Sequence, residues 1–327
     1  MLSAERDATR MAQDPHETAP LVGGLDRVPF LKAARRRLGQ MVPSLTEPPF
    51  GDQPINYLEP AGDPGVFGPD SVTWRVLSNP ASVFIGGITA VFLELAEPRV
   101  RSGVWDHTDF RRNPAARVRR TGLATMVFTY GSTHDAEALS ARVRRLHDRV
   151  RGTTPDGQVY QANDPELLTW VYVTAGYGFM SAYLRYVNPR LTHAEQDRYY
   201  AESARACRYY GVNRIPGSAL EVERYLEAMR PRLRRHDIVG EFLDLVWSVP
   251  LVAAPALPLQ RMLVQAGVGL LPPWARELLD LERGHRLRRA VSPLVRVAVA
   301  LGGRFIRNGG AQQACLRMGR PASYLYR

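Results

Sequence analysis

The sequence predicts an all-α fold, a multi-helix single domain, and three observations predict it. Apolar residues recur at three- and four-residue spacing through one segment after another. Those segments open on capping signals, as at Pro69-Asp70-Ser71, Asn79-Pro80, Asn163-Asp164-Pro165 and the capping box Thr192-His193-Ala194-Glu195. No segment alternates at period two between turn signals, so no sheet is expected.

Composition supports a folded body. Of 327 residues 45% are hydrophobic and 9% aromatic, and the chain is long enough to bury a large core. The formal charge is +11, carried almost wholly by arginine, since Lys32 is the single lysine. The arginines are spread over many helices among acidic residues and form no nucleic-acid recognition motif, so no nucleic-acid partner is expected. The two cysteines, Cys207 and Cys315, lie far apart and outside any CxxC pattern, which argues against thiolate metal sites and a disulfide framework. The N-terminal stretch is charged and has no apolar core of a secretory signal, so the expected location is cytoplasmic.

In chain order, residues 1–25 read as a mobile polar tail, 26–310 as the all-α domain and 311–327 as a poorly patterned C-terminal tail. Residues 42–69 form a loop rich in Pro and Gly, anchored by Phe50, Tyr57 and Phe67, of the kind that wraps a fold or closes a site. A short helix follows, and then one over residues 80–97 that is apolar nearly all round and hence buried, too short to span a bilayer. Its Gly86-Gly87 pair implies a close approach by another backbone or by a flat ligand. Residues 98–113 read as a polar connector holding Trp105, Asp106 and His107.

Residues 110–152 organise the rest. They read as two consecutive helices broken at Tyr130-Gly131-Ser132, the second capped by Thr133 and ending before Gly152. Leu139, Val143, Leu146 and Val150 make an apolar stripe that His147 shares, so the imidazole is expected to point inward, while Arg142, Arg145 and Arg149 lie on other faces. On the first helix Arg117, Thr121, Ala124 and Phe128 fall along one side. An inward His beside an Arg/Thr face builds a lined cavity, or else a hydrogen-bonded core His; spacing alone does not choose. A long helix after Asp164 carries the stripe Trp170, Val173, Tyr177, Met180 and Leu184. Amphipathic helices over residues 218–233, 237–247, 258–271, 273–283 and 287–307 complete the series, with 249–273 as a packed or surface-associated hairpin.

HExxH, GxSxG, Walker A and post-strand GxGxxG motifs are all absent. An inward His, an Arg/Thr face, a Gly-Gly helix and several aromatics suit a haem pocket. GDPGVFGPDSVTWRV, EPRVRSGVWDHTDF, RVRRTGLATMVFTYGS and ARVRRLHDRVRG stand in that order, and over residues 50–216 the chain resembles the oxygenase MpaB family, relatives of the latex-clearing protein or rubber oxygenase. The resemblance implies a globin-like core holding haem b, with His147 of VRRLHDRV as the axial ligand to iron. It matches Arg117 and Thr121 to the RxxKT element of the rubber-cleaving relatives, with Arg120 where they have Lys. Arg117, Thr121 and Arg120 are thus the expected catalytic residues, Gly86, Gly87 and His107 the expected cofactor contacts, and Glu97 the candidate distal carboxylate.

The resulting expectation is a haem b-dependent oxygenase or oxidase using dioxygen on a small apolar substrate of lipid, terpenoid or polyketide type. Two other classes stay open: a non-catalytic haem-binding or sensing protein, and a haem-free helical protein docking on anionic membranes through its arginines and the 249–273 hairpin. Oligomeric state is not legible.

Overall fold

The computed structural model describes residues 55–251, 257–305 and 309–326. All belong to the compact unit Met41–Arg327; the tail expected at 1–25, the basic segment after it and the Phe50 anchor lie outside the described residues. Among the described residues the chain forms thirteen α-helices and one two-stranded antiparallel hairpin.

Side-chain caps open the first helices. Ser71 accepts from Trp74 N at the start of α1 (Val72–Leu77). Asn79 accepts from Ser82 N at α2 (Pro80–Ala96), whose first residue is the proline. Glu97 closes α2 and caps α3 (Pro98–His107) by accepting from Val100 N, so the segment expected as a connector is a helix. Its polar composition hid a Glu-Pro start signal. The central pair is α4 (Pro114–Tyr130) and α5 (Thr133–His147).

The cap of α5 is Ser132, in a reciprocal box with Asp135, and not Thr133, whose N–H and hydroxyl instead bond Asp63. The helix stops at His147, five residues before Gly152, because Arg151–Thr153 (β1) turns to pair with Val159–Gln161 (β2). These strands are too short for alternation to reveal. Val150 therefore drops out of the helical stripe, and Leu146 stands 40% exposed while Ala136, Leu139 and Ser140 are buried. The inward face runs through 136, 139, 140, 143 and 147.

After the hairpin come α6 (Pro165–Tyr186), α7 (His193–Ala206), α8 (Ala219–Met229), α9 (Asp237–Ser248), α10 (Leu257–Leu270), α11 (Pro273–Leu278), α12 (His285–Phe305) and α13 (Gly310–Arg317). The core forms around α2 and α6, the most extensive helix pair. They cross at two glycines: a Cβ on Gly86 would sit 2.7 Å from the Gly178 carbonyl oxygen, and one on Gly178 only 2.2 Å from that of Gly86. Next to them Gly267 lets α10 close on Ile85 and Ile88 of α2. Phe92, Leu93, Trp170, Met180 and Phe242 fill the space around this crossing.

Within the 249–273 stretch, Leu263, Val264, Val268 and Leu271 are buried in this core. The segment set apart as a C-terminal tail is integrated too. Arg317, 4% exposed, donates to the carbonyls of Asp63 (2.8 Å), Tyr57 (3.2 Å) and Gly131 (3.1 Å). Of the loop anchors, Tyr57 is buried and Phe67 meets Phe128 edge-on. Among the described residues no single helix is long and apolar enough to cross a membrane.

Candidate active site

The chemistry gathers where α2, α4, α5 and α6 face one another. Glu94, in the last turn of α2, is enclosed by protein. Burial raises its pKa to about 7, against the pull of the Arg117 guanidinium and the Thr174 hydroxyl. Arg117, in the first turn of α4, is enclosed as well. Burial lowers its pKa, Glu94 opposes that fall, and Arg120 one turn on adds to it. The Arg117 guanidinium donates to Thr121 Oγ1, and that hydroxyl donates back to the Arg117 carbonyl at 3.0 Å.

His147 closes the cluster from the end of α5. Burial lowers its pKa below that of an ordinary imidazole; Asn163 favours the charged ring, Arg117 disfavours it and Asp148 favours it. The ring is neutral at neutral pH, with a lone pair to offer. Its Nδ1 is buried with no hydrogen-bond partner among the described residues, and the Oδ1 of Asn163 is in the same state. Asn163 itself is tied to α5 through its Nδ2, which donates to the Arg144 carbonyl (2.9 Å) and to Asp148 Oδ1 (2.6 Å). Arg117 therefore acts electrostatically on both Glu94 and His147.

Glu94, Arg117 and His147 are each half-buried by accessible surface. A Cβ on Gly87, one turn before the half-buried Val91, would meet no atom within 4 Å, and neither would one on Gly122, one turn after the core-packed Val118. Close packing normally leaves no such room along inward helix faces.

The structure brings together Arg117, Thr121 and His147, with Arg120 acting on Arg117. Of the two readings of the Gly86-Gly87 pair, the close backbone approach is what Gly86 makes, while a Cβ on Gly87 would meet no atom within 4 Å. His107 is exposed and its Nε2 lies 3.0 Å from the Tyr160 hydroxyl, holding α3 to the hairpin. Glu97 is committed elsewhere, capping α3 and pairing with Arg99 at 2.8 Å. Glu94 is a carboxylate that the sequence reading did not single out. The available signal was an acid on an otherwise apolar helix, at i+3 from Val91 and i+7 from Gly87. Among the described residues no three His, Cys, Asp or Glu converge as a metal cage, so His147 is a solitary candidate ligand.

Residues 74–301 match the family described as ER-bound oxygenase mpaB/B'/Rubber oxygenase, catalytic domain, and the chain belongs to that family. Every residue of the cluster lies inside the match. Uncharacterised proteins of Mycobacterium bovis and Mycobacterium tuberculosis are each 27% identical over 214 residues, which is 63% of this chain and 84% of theirs. No solved structure matches.

Proposed function

We propose that this oxygenase-family chain binds haem b through His147 and uses dioxygen to oxidise a small apolar substrate. The observation that carries the reading is the partly buried His147 imidazole, its charged form disfavoured by burial and by Arg117, beside room that Gly87 and Gly122 leave open. These residues fit the group. A solitary histidine suits haem iron, and the room left at Gly87 suits the edge of a flat ring.

When bound, haem supplies an iron centre able to activate dioxygen. The protein's part follows from its own side chains. His147 presents an uncharged nitrogen, kept so by burial and by Arg117. Arg117, braced by Thr121, keeps further guanidinium N–H donors that stabilise negative charge developing on oxygen. Glu94, with a pKa of about 7, takes up or gives back a proton near neutral pH, as a general base must. Half-buried Val83 and Val91 on the same side of α2 give the space apolar walls and favour an apolar substrate. Arg120 stands where the rubber-cleaving relatives have lysine, and a guanidinium has no lone pair to offer iron.

The test is an absorption spectrum of the purified chain after haem reconstitution. A Soret band is expected, shifted or lost in His147→Ala. A colourless wild type, or an identical spectrum in the variant, overturns the reading. Glu94→Gln is expected to keep the band and lower oxygen consumption by about 100-fold. Haem binding with no oxygen consumption on any apolar substrate would leave a sensor in place of an enzyme.

A further inference from the structure

We propose that the outer face of α12 docks on anionic lipid bilayers. The inner face of this helix is spent on the fold, since Val295 and Val299 are fully buried against Ile85 of α2, Ala182 of α6 and Leu263 of α10. The opposite face is also apolar. Leu294 is 61% exposed, Val297 57% and Leu301 47%, and Ala290, Pro293 and Ala300 are exposed beside them. The three- and four-residue spacing joins them into one stripe that stays exposed among the described residues. The antiparallel run of α10, marked by Arg288 against Gln265 near one end, carries the 37% exposed Leu259 toward the end that holds Leu301.

Charge identifies what covers the stripe. Residues 283–327 contain ten arginines and no Asp or Glu. Arg283 and Arg296 are exposed. Arg296 Nε donates to the Arg185 carbonyl at 3.1 Å, and the exposed Arg185 reaches back to Ser292 Oγ at 3.3 Å, so two guanidinium groups flank the stripe. A second copy packed stripe to stripe would add Arg185 and Arg296 of its own to the pair already there, with no acid on the helix to meet them. A nucleic acid would satisfy the cations and leave the leucine and valine side chains wet. An anionic bilayer satisfies both: the apolar side chains enter the boundary between headgroups and acyl chains while the arginines meet lipid phosphates. The docking surface is therefore centred on α12, with Leu259 of α10 at its margin, while Leu263, Val264 and Val268 of α10 are buried. The inference does not depend on haem.

The test is flotation of the full chain with vesicles of phosphatidylcholine plus phosphatidylglycerol, and with vesicles of phosphatidylcholine alone. Binding is expected to the anionic vesicles only, weakening as salt is raised. The double variant Leu294→Glu, Val297→Glu is expected to bind at least about tenfold more weakly with an unchanged melting temperature, since both side chains are already exposed. No binding to anionic vesicles, equal binding to neutral ones, or equal binding by the double variant overturns the proposal. So does light scattering that finds a dimer which the double variant splits into monomers.

Discussion

The two sides of α2 are built on opposite plans although adjacent glycines lie at their heart. On the Gly86 side the helix backbones of α2 and α6 touch, with no space for even a methyl group. On the Gly87 side, which continues through Val91 to Glu94, a methyl group would touch nothing. The sealed side supplies rigidity and the open side supplies room, and one helix delivers both because successive residues point about 100° apart. A site of this kind is held by the crossing behind it.

Four measurements can break or sharpen that contrast. The largest effect is expected from Gly178→Ala, whose new Cβ would lie 2.2 Å from the Gly86 carbonyl oxygen; it should destabilise by more than about 3 kcal/mol in denaturant melts. Gly87→Ala should change stability by no more than about 1 kcal/mol, toward the stable side, because helix propensity improves with no clash. Equal costs at the two positions would end the distinction. On α5, Leu139→Ala should cost about 3 kcal/mol and the 40% exposed Leu146 under about 1 kcal/mol, which locates the inward face by calorimetry.

Glu94 gives a pH signature. Its folded pKa of about 7 lies above the ordinary 4.5, so the folded protein keeps a proton that the unfolded chain releases. The associated stability is complete below pH 4.5 and is lost as pH rises through 7, by up to about 3 kcal/mol relative to Glu94→Gln. Parallel stability curves for wild type and variant from pH 4 to about pH 8 would place the carboxylate in solvent, not in an enclosed space. A modest effect is expected from Ser132→Ala, which removes the cap of the helix bearing His147 and should cost about 1 kcal/mol by thermal melt.

Much of the fold was legible because its signals are local. Ser71, Asn79, Asp164 and Thr192 announce their helices by side chains that bond the next turn. His147 was legible from the stripe it shares with Leu139 and Val143. What was not legible depends on distant partners. Thr133 looks like a cap until Asp63, seventy residues earlier, is seen to hold it. Leu146 reads as core until the helix is seen to end at His147 and the inward face to shift by a fraction of a turn. Glu94 and Glu97 look alike as acids closing an apolar helix; only the neighbouring helices decide that one caps α3 and the other faces Arg117. Arg317 gave no local sign of burial.

Arg317 and Asp63 both bear on the corner between α4 and α5, one through the Gly131 carbonyl and the other through the Thr133 amide and hydroxyl. Both lie beyond the limits of the family match, on opposite flanks of residues 74–301. A fragment trimmed to that span would keep every reactive side chain and lose the brace that angles one helix against the next. Anyone dissecting this protein should therefore cut well outside the shared domain, because the alignment of His147 with Arg117 is partly written in sequence that the family pattern does not include.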